Sequence, residues 1–64
     1  MTLDEARTLI GSGVVYQPHP AAYPEDGVVT GVSDYYVFVR YANDWGSKAT
    51  RAQDLTPLIP KEGS

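Results

Sequence analysis

The sequence predicts a mainly β fold, a small five-stranded barrel with a short helix in front of it, and three observations carry that expectation. Short runs rich in valine and tyrosine recur between turn-forming residues: Val14-Val15-Tyr16, Gly27 to Ser33, and Tyr35 to Ala42. Helical spacing of apolar residues is found near the N-terminus, in front of those runs. The composition, 42% hydrophobic with five Tyr, one Phe and one Trp in 64 residues, suits one domain with an aromatic-rich core rather than disorder.

A chain this short buries only about 60% of the surface that its unfolded form exposes. It contains no cysteine, so disulfides and thiolate zinc sites are excluded. A well-packed aromatic core or self-association is left to support the fold.

Thr2-Leu3-Asp4-Glu5 has the form of a capping box, in which Thr2 accepts from the Glu5 amide and Glu5 reaches back to Thr2. Leu3, Ala6, Leu9 and Ile10 follow at helical spacing, Asp4 and Glu5 sit at the favoured positive end of the dipole, and Gly11 is a natural stop. A helix of roughly eight residues is unstable alone in water, so its Leu3/Leu9/Ile10 side must dock. Gly11-Ser12-Gly13 is a joint, and Val14 to Tyr16 is a first strand that Pro18 ends. Pro18, Pro20 and Pro24, around His19 and Tyr23, exclude a helix interior and a central strand, which makes Gln17 to Glu25 a stiffened loop.

Gly27 to Ser33 reads as the second strand. The turn into the third falls at Ser33-Asp34, or in a longer loop reaching Tyr35, because a two-residue hairpin prefers Asn-Gly or Asp-Gly. In the third strand, alternation puts Tyr35, Val37, Val39 and Tyr41 on an inner face, and Tyr36, Phe38, Arg40 and Ala42 on an outer one marked by Arg40. Outward Tyr36 and Phe38 would form an apolar patch. The helix is expected to cover it, within one chain or between two copies.

Asn43-Asp44-Trp45-Gly46-Ser47 is a turn by composition, Lys48-Ala49-Thr50 a short fourth strand, and Arg51 to Asp54 one helical turn leading to Leu55-Thr56-Pro57-Leu58. Pro57 and Pro60 confine the last strand to an edge, and Lys61 to Ser64 is a polar tail. The expected layout is residues 1–11 as the helix packing on the barrel, 12–60 as the barrel, and 61–64 as the tail.

Eight acids against five bases give a net charge of −3, which opposes non-specific adhesion to phosphate backbones or anionic lipid. No apolar run approaches the ~20 residues that span a bilayer, and the start MTLDEAR is acidic where a secretion signal is basic. A cytoplasmic location is expected.

No catalytic residues, cofactor or metal are expected. His19 between two prolines reads as a solvated loop residue, and one histidine without cysteine makes no zinc spacing. Ser12, Ser33, Ser47 and Ser64 lack a nucleophile motif. Glu25 and Asp26 would point apart on a strand, and Asp4 and Glu5 serve the helix start, so these carboxylates read as solvated surface and capping charge. Gly11-Ser12-Gly13 lacks the Gly-Lys-Ser/Thr that a phosphate loop requires.

The aromatics carry more information. Tyr35, Val37, Val39 and Tyr41 serve as core. Tyr16, Tyr23, Trp45 and the Tyr36/Phe38 pair are hard to bury all at once, and exposed Tyr and Trp are the types that anchor interfaces. The candidate binding residues are Tyr16, Tyr41, Trp45, Tyr36 and Phe38. The function expected from them is a protein-interaction module that binds a peptide, a host protein or a second copy. The alternative is a nucleic-acid accessory domain, with Arg40, Lys48 and Arg51 on phosphates and Tyr41 and Trp45 stacking on bases.

Asp26-Gly27 opening a strand, Tyr36-Val37-Phe38-Val39-Arg40-Tyr41 ending in an aromatic, the acidic turn Asn43 to Ser47, and the closing Arg51 to Leu58 together resemble an SH3-like small barrel, and more narrowly a Tudor-like domain. The resemblance covers about Val14 to Leu58. In brevity and acidity the chain is also similar to short reading frames of bacteriophages and prophages, which would place it in a bacterial host's cytoplasm. Tudor-type domains that read methylated lysine or arginine hold the cation among aromatic faces. The resemblance implies Tyr16, Tyr41 and Trp45 as walls of such a cage. This sequence departs from the pattern at Val28, Val29 and Thr30 in the second strand and at Lys48, where further walls would stand.

Overall fold

In a computed structural model, which describes residues 1–42 and 44–58, the chain forms α1 (Leu3–Thr8), β1 (Gly13–Tyr16), β2 (Glu25–Val32), β3 (Val37–Tyr41), β4 (Lys48–Thr50), a 3-10 turn (Ala52–Asp54) and β5 (Leu55–Pro57). The strands make one antiparallel sheet in the order β4-β3-β2-β1-β5. The mainly β class is as the sequence predicts. Among the described residues β4 and β5 are the two ends of the sheet and do not pair with each other, so the five strands form a sheet rather than a hydrogen-bonded closed barrel.

The capping box forms at α1, where the Thr2 hydroxyl accepts from the Glu5 amide at 3.1 Å and the Thr2 amide donates to the Glu5 carboxylate at 2.9 Å. The helix ends at Thr8, and Gly11 adopts a positive φ of 91° that a side chain would oppose, while its amide donates to the Val29 carbonyl. That bond ties the end of the helical segment to β2.

The docking face of α1 differs from the expectation. Ala6 is fully buried, Leu3 packs beside it, and Ile10 is 52% exposed. The helix packs against β2, with Ala6 in one cluster with Val29, Val37 and Val39, while Leu3 lines a shallow pocket with Tyr36, which stays 46% exposed. A small residue at the contact lets the helix approach the sheet closely, which the bulky Leu9/Ile10 side would not.

Val14, Val29, Val37, Val39, Tyr41 and Leu55 form the core with Ala6. They alternate with exposed or half-buried neighbours along each strand, the pattern of a sheet with one covered face. A bulge between Val29 and Gly31 leaves Thr30 as the extra residue, so that Val32 meets Val37 and packs on the core while Gly31 meets Phe38 outside. Without it, the two-residue period would turn Val32 outward.

Two strand limits also differ. β2 starts at Glu25, because pairing with β1 sets Glu25 opposite Tyr16 and Asp26 opposite Val15 despite their weak strand preference. β3 starts at Val37, because Ser33 closes the longer of the two turns considered: its hydroxyl accepts from the Tyr35 and Tyr36 amides and its amide donates to the Tyr36 carbonyl at 2.8 Å. Tyr35, expected in the core, is therefore 79% exposed. β4 and the edge position of β5 agree with the sequence reading. Asn43, Pro60 and the expected tail 61–64 lie outside the described residues.

Candidate functional site

The site grows from one glycine. In the ladder Gly27 stands between Val14 on β1 and Tyr41 on β3. A Cβ there would lie 2.5 Å from Val39 Cγ1 and 3.0 Å from Tyr41 Cδ1, so only bare backbone leaves room for both. Tyr41 leans across this position toward Tyr16, and the two rings meet edge to face with centroids 6.0 Å apart and planes at 62°.

The Tyr41 hydroxyl is held inside the protein by the Thr50 hydroxyl at 3.0 Å, and Thr50 also donates to the Lys48 carbonyl. Thr50 is the one buried polar residue of the described chain. Burial pushes the Tyr41 phenol above its ordinary value of 10.0; Tyr16 and Glu25 act in the same direction, and the Thr50 hydrogen bond and Lys48 act against it. Tyr41 is therefore neutral and anchored at physiological pH.

Around the two rings opens a cleft of about 660 Å³, lined by Tyr16, Glu25, Asp26 and Asp54 from the β1/β2 and β5 ends and by Lys48, Ala49, Thr50 and Arg51 from β4 and the residue after it, with Tyr36 also in its lining. Its volume falls within the ~300–1,000 Å³ typical of ligand sites. Four carboxylates (Glu25, Asp26, Asp44, Asp54) face two cations (Lys48, Arg51), which leaves the cleft negative by two charges. Lys48 is already paired with Asp44 at 3.3 Å.

The candidate residues from the sequence divide accordingly. Tyr16, Tyr41 and Tyr36 line the cleft. Trp45 is fully exposed in the turn after β3 and does not line it. Phe38 is half-buried, sits opposite Gly31 and Ala49, and also lies outside it. Of the bases, Lys48 and Arg51 are in the cleft, while Arg40 lines a neighbouring one of about 320 Å³ with Val28 and Leu58.

The sequence reading did not single out Thr50 or the carboxylate set. Thr50 acquires its role from a tyrosine nine residues away, and the acids come together only through strand pairing. His19 is exposed in the 17–24 loop, which Gln17 braces by donating to the Pro20 and Ala22 carbonyls. Among the described residues no group of three or more His, Cys, Asp or Glu could hold a metal, and no helix is long and apolar enough to cross a membrane. Comparison with protein-family models, with curated proteins and with solved structures finds no match to this chain.

Proposed function

We propose that the chain is a non-catalytic protein-interaction module that seats a peptide segment of a partner in the Tyr16/Tyr41 cleft. The observation that carries this reading is the pair of rings, anchored through Thr50 and Gly27, in a cleft with ligand-sized volume. Anchored aromatic walls bind with little loss of side-chain freedom, which is how Tyr serves at interfaces. The finer fold reading, an SH3-like and Tudor-like barrel, belongs to the same proposal. It is supported by β5 returning after a 3-10 turn to pair with β1, and by the bulge that bends β2.

The nucleic-acid reading comes second. Arg40 stands apart from Lys48 and Arg51, Lys48 is neutralised by Asp44, and the cleft is net negative, all of which oppose a phosphate backbone. Affinity capture with the wild type, Tyr36→Ala and Trp45→Ala tests the proposal. A protein partner retained by wild type and Trp45→Ala and lost with Tyr36→Ala is the expected result. Equal capture by all three removes the cleft as the site.

A further inference from the structure

Lys48, Ala49, Thr50 and Arg51 all line the cleft. Side chains on a strand point alternately to opposite faces, so a cleft touched by all three residues of β4 (Lys48–Thr50) and by Arg51 just after it runs along the edge of the strand and not over one of its faces. The edge in question is the one that pairs with no strand among the described residues. β4 pairs with β3 on its other side, through Val37 with Thr50, Phe38 with Ala49 and Val39 with Lys48, and ends the sheet. The opposite wall holds Tyr16, the last residue of β1, and Asp54, which leads into β5 at the other end of the sheet. The cleft is thus the open seam between the two ends of a curled sheet, with a backbone edge on one bank and a tyrosine and carboxylates on the other.

We propose that the seam is filled by an extended, basic peptide that pairs with β4 as an added strand. This deepens the peptide-binding reading and rests on it. An unpaired strand edge presents backbone donors and acceptors that an extended chain satisfies in register, and alternate side chains of the added strand then face the far bank. That bank carries Glu25, Asp26 and Asp54, and in the cleft as a whole acids outnumber bases by four to two. Lysine or arginine at alternate positions therefore matches the seam, whereas a second copy of a chain with net charge −3 does not. The edge pairing sets affinity and register; the carboxylates select the partner.

The test uses four end-blocked hexapeptides with NMR of the 15N-labelled full chain: alternating lysine-valine, the same with glutamate for lysine, and two versions of the lysine peptide N-methylated on the backbone, one at each alternate set of residues. The lysine peptide is expected to shift the amides of residues 48–51 and of Tyr16, and to slow hydrogen exchange along β4. Only every second amide of an added strand faces the sheet, so one N-methylated set should weaken binding about tenfold or more while the other changes it less than about twofold. The glutamate peptide should not bind, and Glu25→Lys or Asp26→Lys, both exposed positions, should weaken the lysine peptide. Equal binding of both N-methylated sets would overturn the strand-addition proposal and leave the peptide-binding reading standing. Equal binding of the glutamate peptide would overturn the basic class of partner. Cleft amides that shift on dilution of the protein alone would replace the peptide by a second copy, and cleft amides unmoved by every peptide would remove the peptide-binding reading as well.

Discussion

The valine-packed part of the sheet and the tyrosine-lined part differ in kind. In the first, Val29, Val37 and Val39 of β2 and β3 cluster with Ala6 of α1, an all-apolar set. In the second, Tyr41 brings a hydroxyl inside, Thr50 satisfies it, Tyr16 meets the Tyr41 ring, and the walls carry charge around a space left open. The valines fill their volume and have no hydrogen-bonding capacity to spare. The tyrosines also bury area, but keep polar tips and edges available to a partner. Gly27 is where one region gives way to the other, since it touches both Val39 and Tyr41.

The largest expected effect lies in the packed region. Leu55 is 1% exposed and is among the largest fully buried side chains. Leu55→Ala should cost about 2–5 kcal/mol, against a total of about 3–10 kcal/mol expected for a chain of this length. Urea unfolding should show the midpoint displaced downward by the equivalent of that loss; a loss under about 1 kcal/mol would mean that the core lies elsewhere. Gly27→Ala comes next. The new methyl would collide with Val39 and Tyr41 and stand 3.1 Å from the Arg40 carbonyl, so strand and rings must separate, at about 1–3 kcal/mol. This substitution should disturb both regions, and chemical shifts of the Val39 methyl and the Tyr16 and Tyr41 rings would move together. Movement confined to one of them would make the boundary at Gly27 artificial.

Tyr41→Phe separates the regions more finely. It keeps the ring and removes the hydroxyl, so about 1 kcal/mol should be lost with the Thr50 hydrogen bond while the valine core stays intact. The pH dependence has a definite sign. The folded protein holds the Tyr41 proton more tightly than the unfolded chain, so below pH about 10 both states are protonated and the full stability is present. Above it the unfolded chain ionises first, and stability falls until the folded-state value is passed. Unfolding followed from pH 8 to 11.5 should show the wild type losing more than Tyr41→Phe; parallel curves would mean that burial does not shift this phenol.

What the sequence made legible follows the same division. The capping box is local chemistry among four residues, and β4 and the edge position of β5 follow from short-range pattern and from Pro57. Val37, Val39 and Tyr41 were readable as one face because strand alternation is strict. Tyr35 was misplaced because one serine hydroxyl outweighs β preference over two residues. The helix face was misjudged because bulk was taken to mark the contact, whereas Ala6 marks it. In the site, Tyr16 and Tyr41 announce themselves as aromatics at strand ends. The carboxylates did not, since each taken alone is ordinary solvated surface and only the register of β1 with β2 lines them up beside a free edge.

Trp45→Ala should have the smallest effect and bears most directly on where the site ends. The side chain is fully exposed, lines neither of the two clefts described, and forms no hydrogen bond among the described residues. Removing it should change stability by no more than about 0.5 kcal/mol, as at other unengaged surface positions. If the seam along β4 is the binding site, the variant should also hold the lysine-valine peptide within about twofold of wild type, although Trp45 is the largest aromatic in the chain and lies three residues before Lys48. A tenfold loss of peptide with unchanged stability would extend the site across the 44–47 turn and make Trp45 a lid over the ligand. A loss of stability beyond about 1.5 kcal/mol would instead place the indole against the protein. Exposed bulk and binding function then part company at this one residue, which the Leu55, Gly27 and Tyr41 variants cannot show because each of them removes or crowds a buried contact.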